Sequence, residues 1–370
     1  MTTYIHEHNH WPKFTWDPIK LAPLLAAVHQ HQGRLHGRME SLGFDLQNEA
    51  TLLTLTQDVI KNSEIENETL DPNQVRSSIA RKLGMDIAGL VPADRHVEGA
   101  VEIAVDAIQH FNKPLTKARL FNWHAALFPT GRSGMYPIIV ADWRHDQNGP
   151  MQVVSGAFGQ EQIHFVAPAA PRIEKEMTVF LTWFNQEHMI DPIIKAGLAH
   201  LWFVTLHPFE DGNGRIARTI TDLQLARSDN SSHRFYSLSA QIKKERASYY
   251  THLERAQKND LEVTDWLEWF LTCMERALAS TSEILVKVLG KARFWEQHKT
   301  VKFNERQRRI LEKLFEDFVG KLTSSKWAKI NKCSQDTASR DIQTLIDLGI
   351  LVKEPAGGRS TSYVLQEVKE

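Results

Sequence analysis

One run carries most of the chemistry that this chain can do: His207-Pro208-Phe209-Glu210-Asp211-Gly212-Asn213-Gly214-Arg215-Ile216-Ala217-Arg218. A helix that starts after a glycine-bearing turn leaves main-chain N–H groups free, and its dipole adds positive potential. Gly212 and Gly214 would let phosphate oxygens approach those groups closely. Arg215 and Arg218 lie three residues apart, on neighbouring faces, where two guanidiniums can frame a phosphate chain. Asp211 can hold a hard divalent cation, because Mg²⁺ takes one or two carboxylates and completes its shell with phosphate oxygens. His207 can accept a proton from an attacking hydroxyl. Each residue also has an ordinary use, as a cap, a turn or a solvated face. Base, acid, anion nest and paired arginines within twelve residues point instead to phosphate-group transfer.

The elements that must position this run are legible on both sides. Asp191-Pro192 reads as an N-cap followed by proline at the first helical position. The helix it starts is apolar through Trp202, Phe203 and Leu206, so it should be buried. A second helix is expected from about Gly214 to Arg227. Upstream, residues 1–100 read as amphipathic helices behind a Trp/Pro-rich lead (Trp11, Pro12, Phe14, Trp16) that should pack as an extended clasp. Helical spacing returns between residues 97 and 128. Between Gly131 and Pro171 come glycine, proline, Asn-Gly and short β-branched runs (138–140, 153–154, 163–166), which read as a β-hairpin or flap set into a helical body. A helix is expected from Ile173 to Gln186. His6, His8 and His10 alternate as a strand-edge metal site would, although a terminal polar tract is ordinarily solvated.

Composition limits the rest. The 370 residues are 42% hydrophobic and 24% charged, with 44 Lys+Arg against 45 Asp+Glu, which excludes collagenous, disordered and disulfide-scaffold classes. A net charge of −1 argues against a globally polyanion-binding chain. Two cysteines, Cys273 and Cys333, indicate neither a zinc site nor a disulfide framework. No apolar leader or membrane-length run is present, and a cytoplasmic protein with no membrane partner is the expectation.

The run from His207 to Arg218 matches, at every fixed position, the HPFx[DE]GNGRxxR signature and so resembles the Fic family, whose usual activity is transfer of AMP from ATP to a protein hydroxyl. The resemblance implies a mainly α fold: a Fic-type helical bundle with a β-hairpin flap. It implies ATP as substrate and Mg²⁺ as cofactor, with His207 as general base and Asp211 as the metal carboxylate. Residues Gly212, Asn213, Gly214 and Arg215 would form the anion hole, Ile216 and Ala217 continue that nucleotide-binding run, and Arg218 would meet the γ-phosphate. Val153, Val154, Ser155 and Gly156 resemble the flap that lies over the nucleotide and clamps a target segment by strand addition. Residues 242–250 resemble the wall of the adenine pocket, giving Tyr249 and Gln257. The acceptor would be a Ser, Thr or Tyr hydroxyl of a target protein, or of the enzyme itself, and a homodimer is expected.

Asn62-Ser63-Glu64-Ile65-Glu66-Asn67 resembles the family's inhibitory motif [ST]xxxE[GN], with asparagine in the first place. The resemblance makes Glu66 and Asn67 the brake, with Glu66 pairing to Arg218 and misplacing ATP. In some relatives the same glutamate positions a water for AMP removal. By pattern alone, the acidic residues Glu64, Glu66 and Glu68 would face solvent.

The last 70 residues read as a separate small domain: helices from Asn304 to Phe318, from Ser324 to Ile330 and on to Leu348, then a two-stranded wing. Arg340 on the third helix and Arg359 in the wing resemble a winged helix-turn-helix, which makes duplex DNA a candidate partner and a dimerisation or protein-docking surface an equal alternative. With 13 Lys/Arg against 10 Asp/Glu in residues 301–370, phosphate binding would be modest. The expected domains are 1–100 (inhibitory), 101–290 (catalytic) and 300–370 (winged helix). The alternative to the transferase is a nucleotide-sensing DNA-binding transcriptional regulator; an intact His207 favours the transferase, since a sensor needs the nest but no base.

Overall fold

The computed structural model describes residues 3–40, 44–85, 89–147, 149–156, 162–187, 189–315, 318, 320–354 and 361–366. Its helices are α1 (Pro18–Glu40), α2 (Phe44–Ile65), α3 (Pro72–Lys82), α4 (Arg95–Gln109), α5 (Lys117–Leu127), α6 (Ala170–Asn185), α7 (Pro192–Leu206), α8 (Asn213–Asp229), α9 (Leu238–Lys244), α10 (Arg246–Gln257), α11 (Thr264–Gln297), α12 (Glu305–Phe315), α13 (Ser324–Asn331) and α14 (Gln335–Asp347). Three small antiparallel ribbons accompany them: β1 (Arg132–Ser133) with β2 (Tyr136–Pro137), β3 (Gln152–Ser155) with β4 (Gln162–Val166), and β5 (Leu351–Lys353) with β6 (Tyr363–Leu365). The fold is mainly α.

The helix starts follow the capping chemistry. Asp71, Thr116, Asp191, Ser237, Thr323 and Ser334 each accept a first-turn N–H, which satisfies groups that a helix start otherwise leaves without partners. α7 is apolar around its whole circumference, and every side chain from Ile193 to Leu206 is buried. It packs along α8, whose side chains from Arg215 to Ala226 are also buried. These two helices are the core from which the catalytic candidates project.

Packing divides the chain into residues 1–284 and residues 285–370. In the first unit the N-terminal lead lies on the body: Trp11 and Phe14 meet the ring of Trp202 edge-on, and Trp11 Nε1 donates to Glu176 at 3.0 Å. His6 Nε2 bonds the Val166 carbonyl (2.9 Å), and no group of three or more potential metal ligands occurs among the described residues. Helix α2 docks on α9, where Asp58 accepts from the Ser237 hydroxyl at 2.5 Å and from Ser239 N–H at 3.3 Å.

The hairpin expectation holds for Gln152–Ser155 paired with Gln162–Val166, with a register shift between Val153 and Val154. It fails for Ile138-Ile139-Val140, which form no strand. Their β-branched composition suits a strand, but Ile139 N–H donates to the Glu210 side chain at 2.7 Å, not to a neighbouring strand. The flap tip, residues 157–161, lies outside the described residues.

In the second unit α12, α13 and α14 enclose a core of Trp327, Ile310, Leu311, Ile342 and Leu345, with the β5–β6 ribbon against it. Arg340 is exposed on α14, and Arg359 lies outside the described residues. Among the described residues no helix is long and apolar enough to cross a membrane.

Candidate active site

The turn between α7 and α8 is fixed by its own sequence. Asn213 accepts from Phe209 N–H (3.0 Å) and donates to Phe209 C=O (2.8 Å), so one amide side chain closes the loop in both directions. Phe209 is fully buried and stacks on His124, with centroids 4.1 Å apart and planes within 8°. Two glycines are required here for different reasons. Gly212 has φ +80°, and a Cβ there would lie 2.8 Å from the Phe128 ring. Gly214 opens the first turn of α8, and a Cβ there would lie within 3.3 Å of Arg218 Nη1 and closer still to a Glu66 carboxylate oxygen.

His207 caps α7 in the left-handed region, with φ 48°. Its Nδ1 faces the Val204 carbonyl at 3.3 Å. A carbonyl can only accept, so Nδ1 carries the proton and Nε2 keeps its lone pair. Burial is the main cause that lowers its pKa to about 4; the nearby Arg144 lowers it too, against the Val204 bond, Asp211 and Glu66. The imidazole is therefore neutral at physiological pH, which is the form a general base needs.

Asp211 is held by its neighbours: Oδ1 accepts from Gly212 N–H (2.6 Å) and Oδ2 from the Ser133 hydroxyl (2.5 Å). A single carboxylate beside an anion site fits Mg²⁺, which enters such sites together with a phosphate. His124, buried with its pKa lowered to about 4 by desolvation, aims Nε2 at the Asp211 carbonyl (3.2 Å) and receives Ala141 N–H on Nδ1 (3.2 Å). Sequence reasoning passed over His124 and Ser133, because a single histidine or serine on its own element carries no spacing signal.

The two arginines converge on the start of α8, and each is met by an acid from the N-terminal region. Arg218 is 2% exposed. Its Nη2 donates to Glu66 at 2.7 Å, and Nε donates to the Asn62 side chain at 2.6 Å. Burial works against the guanidinium charge and the Glu66 carboxylate more than offsets it, so the pKa of Arg218 is raised. Arg215 lies over the Phe128 ring and donates from Nη1 to Glu68 at 2.5 Å. Glu68 is exposed, as its acidic surroundings suggest, and still pairs with Arg215, while Glu64 pairs with Lys61. Among the described residues, Arg218 Nη1 and Arg215 Nε are buried with no hydrogen-bond partner. A buried unpaired donor is costly, and these two flank the glycine turn where an anion would be received.

The chain end that delivers the acids is a helix stop. Asn67 takes φ 62°, Glu68 N–H donates to Ser63 C=O (3.0 Å), and Asn67 N–H donates to Glu64 C=O (3.1 Å). This is a Schellman-type ending, and asparagine is one of the few non-glycine residues that tolerates its left-handed position. Lys243 and Arg246 bond the Glu64 and Ile65 carbonyls (2.5 and 2.7 Å), placing cations on the negative end of α2. Glu66 and Glu68 leave this ending on the side of α8.

The remaining sequence candidates are less exposed to the turn. Ile216 and Ala217 have fully buried side chains, so only their main chain is available to a ligand. Tyr249 is buried and its hydroxyl bonds His200 Nε2 at 2.8 Å; Gln257 is buried against Thr205. Tyr249 also lies close to Arg218 and Glu66, and the next residue, Tyr250, meets a Glu66 oxygen at 3.5 Å. Of the flap residues Val153, Val154, Ser155 and Gly156, Val154 is 48% exposed opposite the exposed Ile163. The Ser155 hydroxyl bonds His164 at 2.6 Å, and His164 bonds Glu254 on α10 at 2.8 Å, so the flap is tied to that helix.

Residues 114–225 match the Fic/DOC family, and residues 4–85 match a domain of unknown function, DUF4172. The chain is 32% identical over 123 residues to the protein adenylyltransferase Fic of Nematostella vectensis, covering 32% of this chain and 27% of that protein. The protein of the same name from Drosophila erecta is 29% identical over 131 residues, covering 34% and 25%. The matched region thus spans about a quarter of these curated relatives. Among solved structures, a Fic family protein from Desulfovibrio desulfuricans G20 aligns over 98% of this chain and 100% of its own, with a TM-score of 0.54 and 19% identity. A Fic domain containing signaling protein from Bacteroides thetaiotaomicron aligns over 71% and 96%, with a TM-score of 0.50 and 18% identity. These two structures share the fold.

Proposed function

The chain belongs to the Fic/DOC family through residues 114–225, and on that premise we propose that it is a self-inhibited protein adenylyltransferase, which moves AMP from ATP to a hydroxyl of a protein. The observation that carries the reading is the pair of orphaned guanidinium nitrogens, Arg218 Nη1 and Arg215 Nε, beside Gly214 and downstream of a neutral, correctly protonated His207. An anion nest alone would serve a sensor; a base with a free Nε2 lone pair serves transfer.

In this reading the acceptor hydroxyl donates to His207 Nε2 and its oxygen attacks the α-phosphorus. The bond from that phosphorus to the β-phosphate oxygen breaks, and pyrophosphate leaves while the proton stays on the imidazole. The N–H groups at the start of α8, Arg215 and Arg218 stabilise the charge that develops on the phosphates. Asp211 would hold Mg²⁺, which when bound neutralises phosphate charge. The exposed flap strand supports delivery of the acceptor segment by strand addition.

The brake is electrostatic occupancy. A Glu66 oxygen sits over Gly214 and on Arg218, where a phosphate oxygen would otherwise go. ATP then has to bind displaced, and a displaced α-phosphorus lowers the rate steeply. The Arg215–Glu68 pair supports a second, weaker hold of the same kind. The test is AMP transfer from α-labelled ATP, read as self-labelling. Glu66→Gly is expected to raise labelling by roughly 10- to 100-fold, and adding His207→Ala or chelating Mg²⁺ should abolish it. No labelling from Glu66→Gly, or labelling that survives His207→Ala, would remove the transferase from the account.

A further inference from the structure

Arg144 lies in the irregular segment between β2 and β3, and only 1% of it is exposed. Its own N–H donates to the Pro208 carbonyl at 2.9 Å. Its side chain then divides three ways: Nε to the His207 carbonyl (2.8 Å), Nη2 to the Pro168 carbonyl (2.5 Å) and Nη1 to Asp146 Oδ1 (2.8 Å). The second oxygen of Asp146 accepts Ala170 N–H at the start of α6 (2.6 Å). One guanidinium therefore joins the main chain of the candidate base, the segment that follows β4 of the flap and the first turn of α6.

Burying this charge is unfavourable, and an apolar side chain would fill the space with less desolvation. What only the planar fork supplies is direction, because it holds two carbonyls and a carboxylate at fixed angles to one another. His207 is where direction matters. A non-glycine residue with φ 48° occupies a disfavoured conformation and persists only where its surroundings over-determine it. The Val204 carbonyl fixes the ring of His207 and Arg144 fixes its carbonyl, so both ends of the residue are restrained. No hydrogen bond joins Arg144 to residues 212–218 among the described residues, so the anion nest does not depend on it directly.

We propose that Arg144 is a positioning residue for transfer: it locks the His207 main chain in its left-handed turn and couples that turn to the stem of the flap. Base and acceptor-delivering strand are then carried as one unit. The inference rests on the reading of His207 as the base of an AMP transfer. Loss of Arg144 should misplace the imidazole relative to the acceptor without changing how the triphosphate is held, and so lower turnover and not ATP affinity.

In the Glu66→Gly protein, self-labelling is measured against ATP concentration for Arg144→Lys and Arg144→Met. Lysine keeps the charge but loses the fork. The expected fall in kcat is about 10-fold for lysine and about 100-fold for methionine, with KM for ATP within about twofold. An unchanged kcat, or a KM that rises in step with the loss, overturns the assignment. Where the methionine variant does not fold, Asp146→Asn removes the charge that Arg144 Nη1 shares with the Ala170 N–H. It should lower kcat about threefold at constant KM, and an unchanged kcat again overturns the assignment. A second readout is independent of activity: the ¹⁵N imidazole spectrum of His207 should show the single Nδ1–H form in the parent protein and a mixed or broadened signal in Arg144→Met. If Glu66→Gly labels nothing, the transferase reading fails, and an unaltered imidazole spectrum in Arg144→Met would separately contradict the positioning role.

Discussion

The α7–α8 turn and the end of α2 face each other across the proposed anion site, yet they are held in opposite ways. The turn is restrained from inside the core: Asn213 closes it with two bonds, Phe209 and His124 stack beneath it, and Arg144 grips the His207 carbonyl. The two acids at the end of α2 are restrained by polar contacts that water reaches, although Asn62 on its last turn holds Arg218 through buried bonds. The side chains of Glu66 and Glu68 are 32% and 45% exposed, and Tyr250 reaches Glu66 only at 3.5 Å. In the proposed reading the catalytic geometry is thus built to stay and the brake to yield. Fully buried bonds leave expensive orphans when broken, whereas partly solvated ion pairs exchange one anion for another at small net cost.

That contrast breaks first on the rigid side. Asn213→Ala would leave the buried N–H and C=O of Phe209 without partners, at about 1–3 kcal/mol each. Thermal unfolding should therefore show a clear drop in stability, and labelling in the Glu66→Gly background should fall at least about 100-fold. A stable, active Asn213→Ala protein would mean that the turn is not over-determined. On the yielding side the expected effect is smaller and has the opposite sign. Glu68→Ala releases Arg215 from a half-exposed pair worth about 1 kcal/mol or less, so apparent ATP affinity should improve by up to about fivefold with little change in melting temperature. Calorimetric titration of ATP into the two proteins measures it; weaker binding in the variant would recast Glu68 as a structural partner of Arg215.

How far the sequence revealed this depends on the range of each contact. The His207–Arg218 run could be read because its residues act on one another within twelve positions, where turn and helix-start chemistry is local. Asp191 with Pro192, and the apolar circumference of α7, were legible for the same reason. Arg144 was not, since the carbonyl it fixes lies 63 residues away and nothing in Trp143-Arg144-His145 marks a buried fork. Glu68 was hidden by its acidic neighbours, and only the left-handed stop at Asn67 reveals that residues 66 and 68 leave the helix end together. The β-branched run at 138–140 shows the converse error: composition suited a strand, but Glu210 took the N–H that a strand would have paired. Asn62, where the resemblance places serine or threonine, turns out to bond Arg218 through both its side chain and its carbonyl, so the departure from the motif keeps the contact.

The most direct test is a crystal structure of the Glu66→Gly protein with Mg²⁺ and a non-transferable ATP analogue. The account predicts phosphate oxygens within hydrogen-bond distance of Arg218 Nη1 and the start of α8, with His207 Nε2 facing the α-phosphorus. A triphosphate bound elsewhere, or bound with Arg218 Nη1 still unpaired, would contradict it.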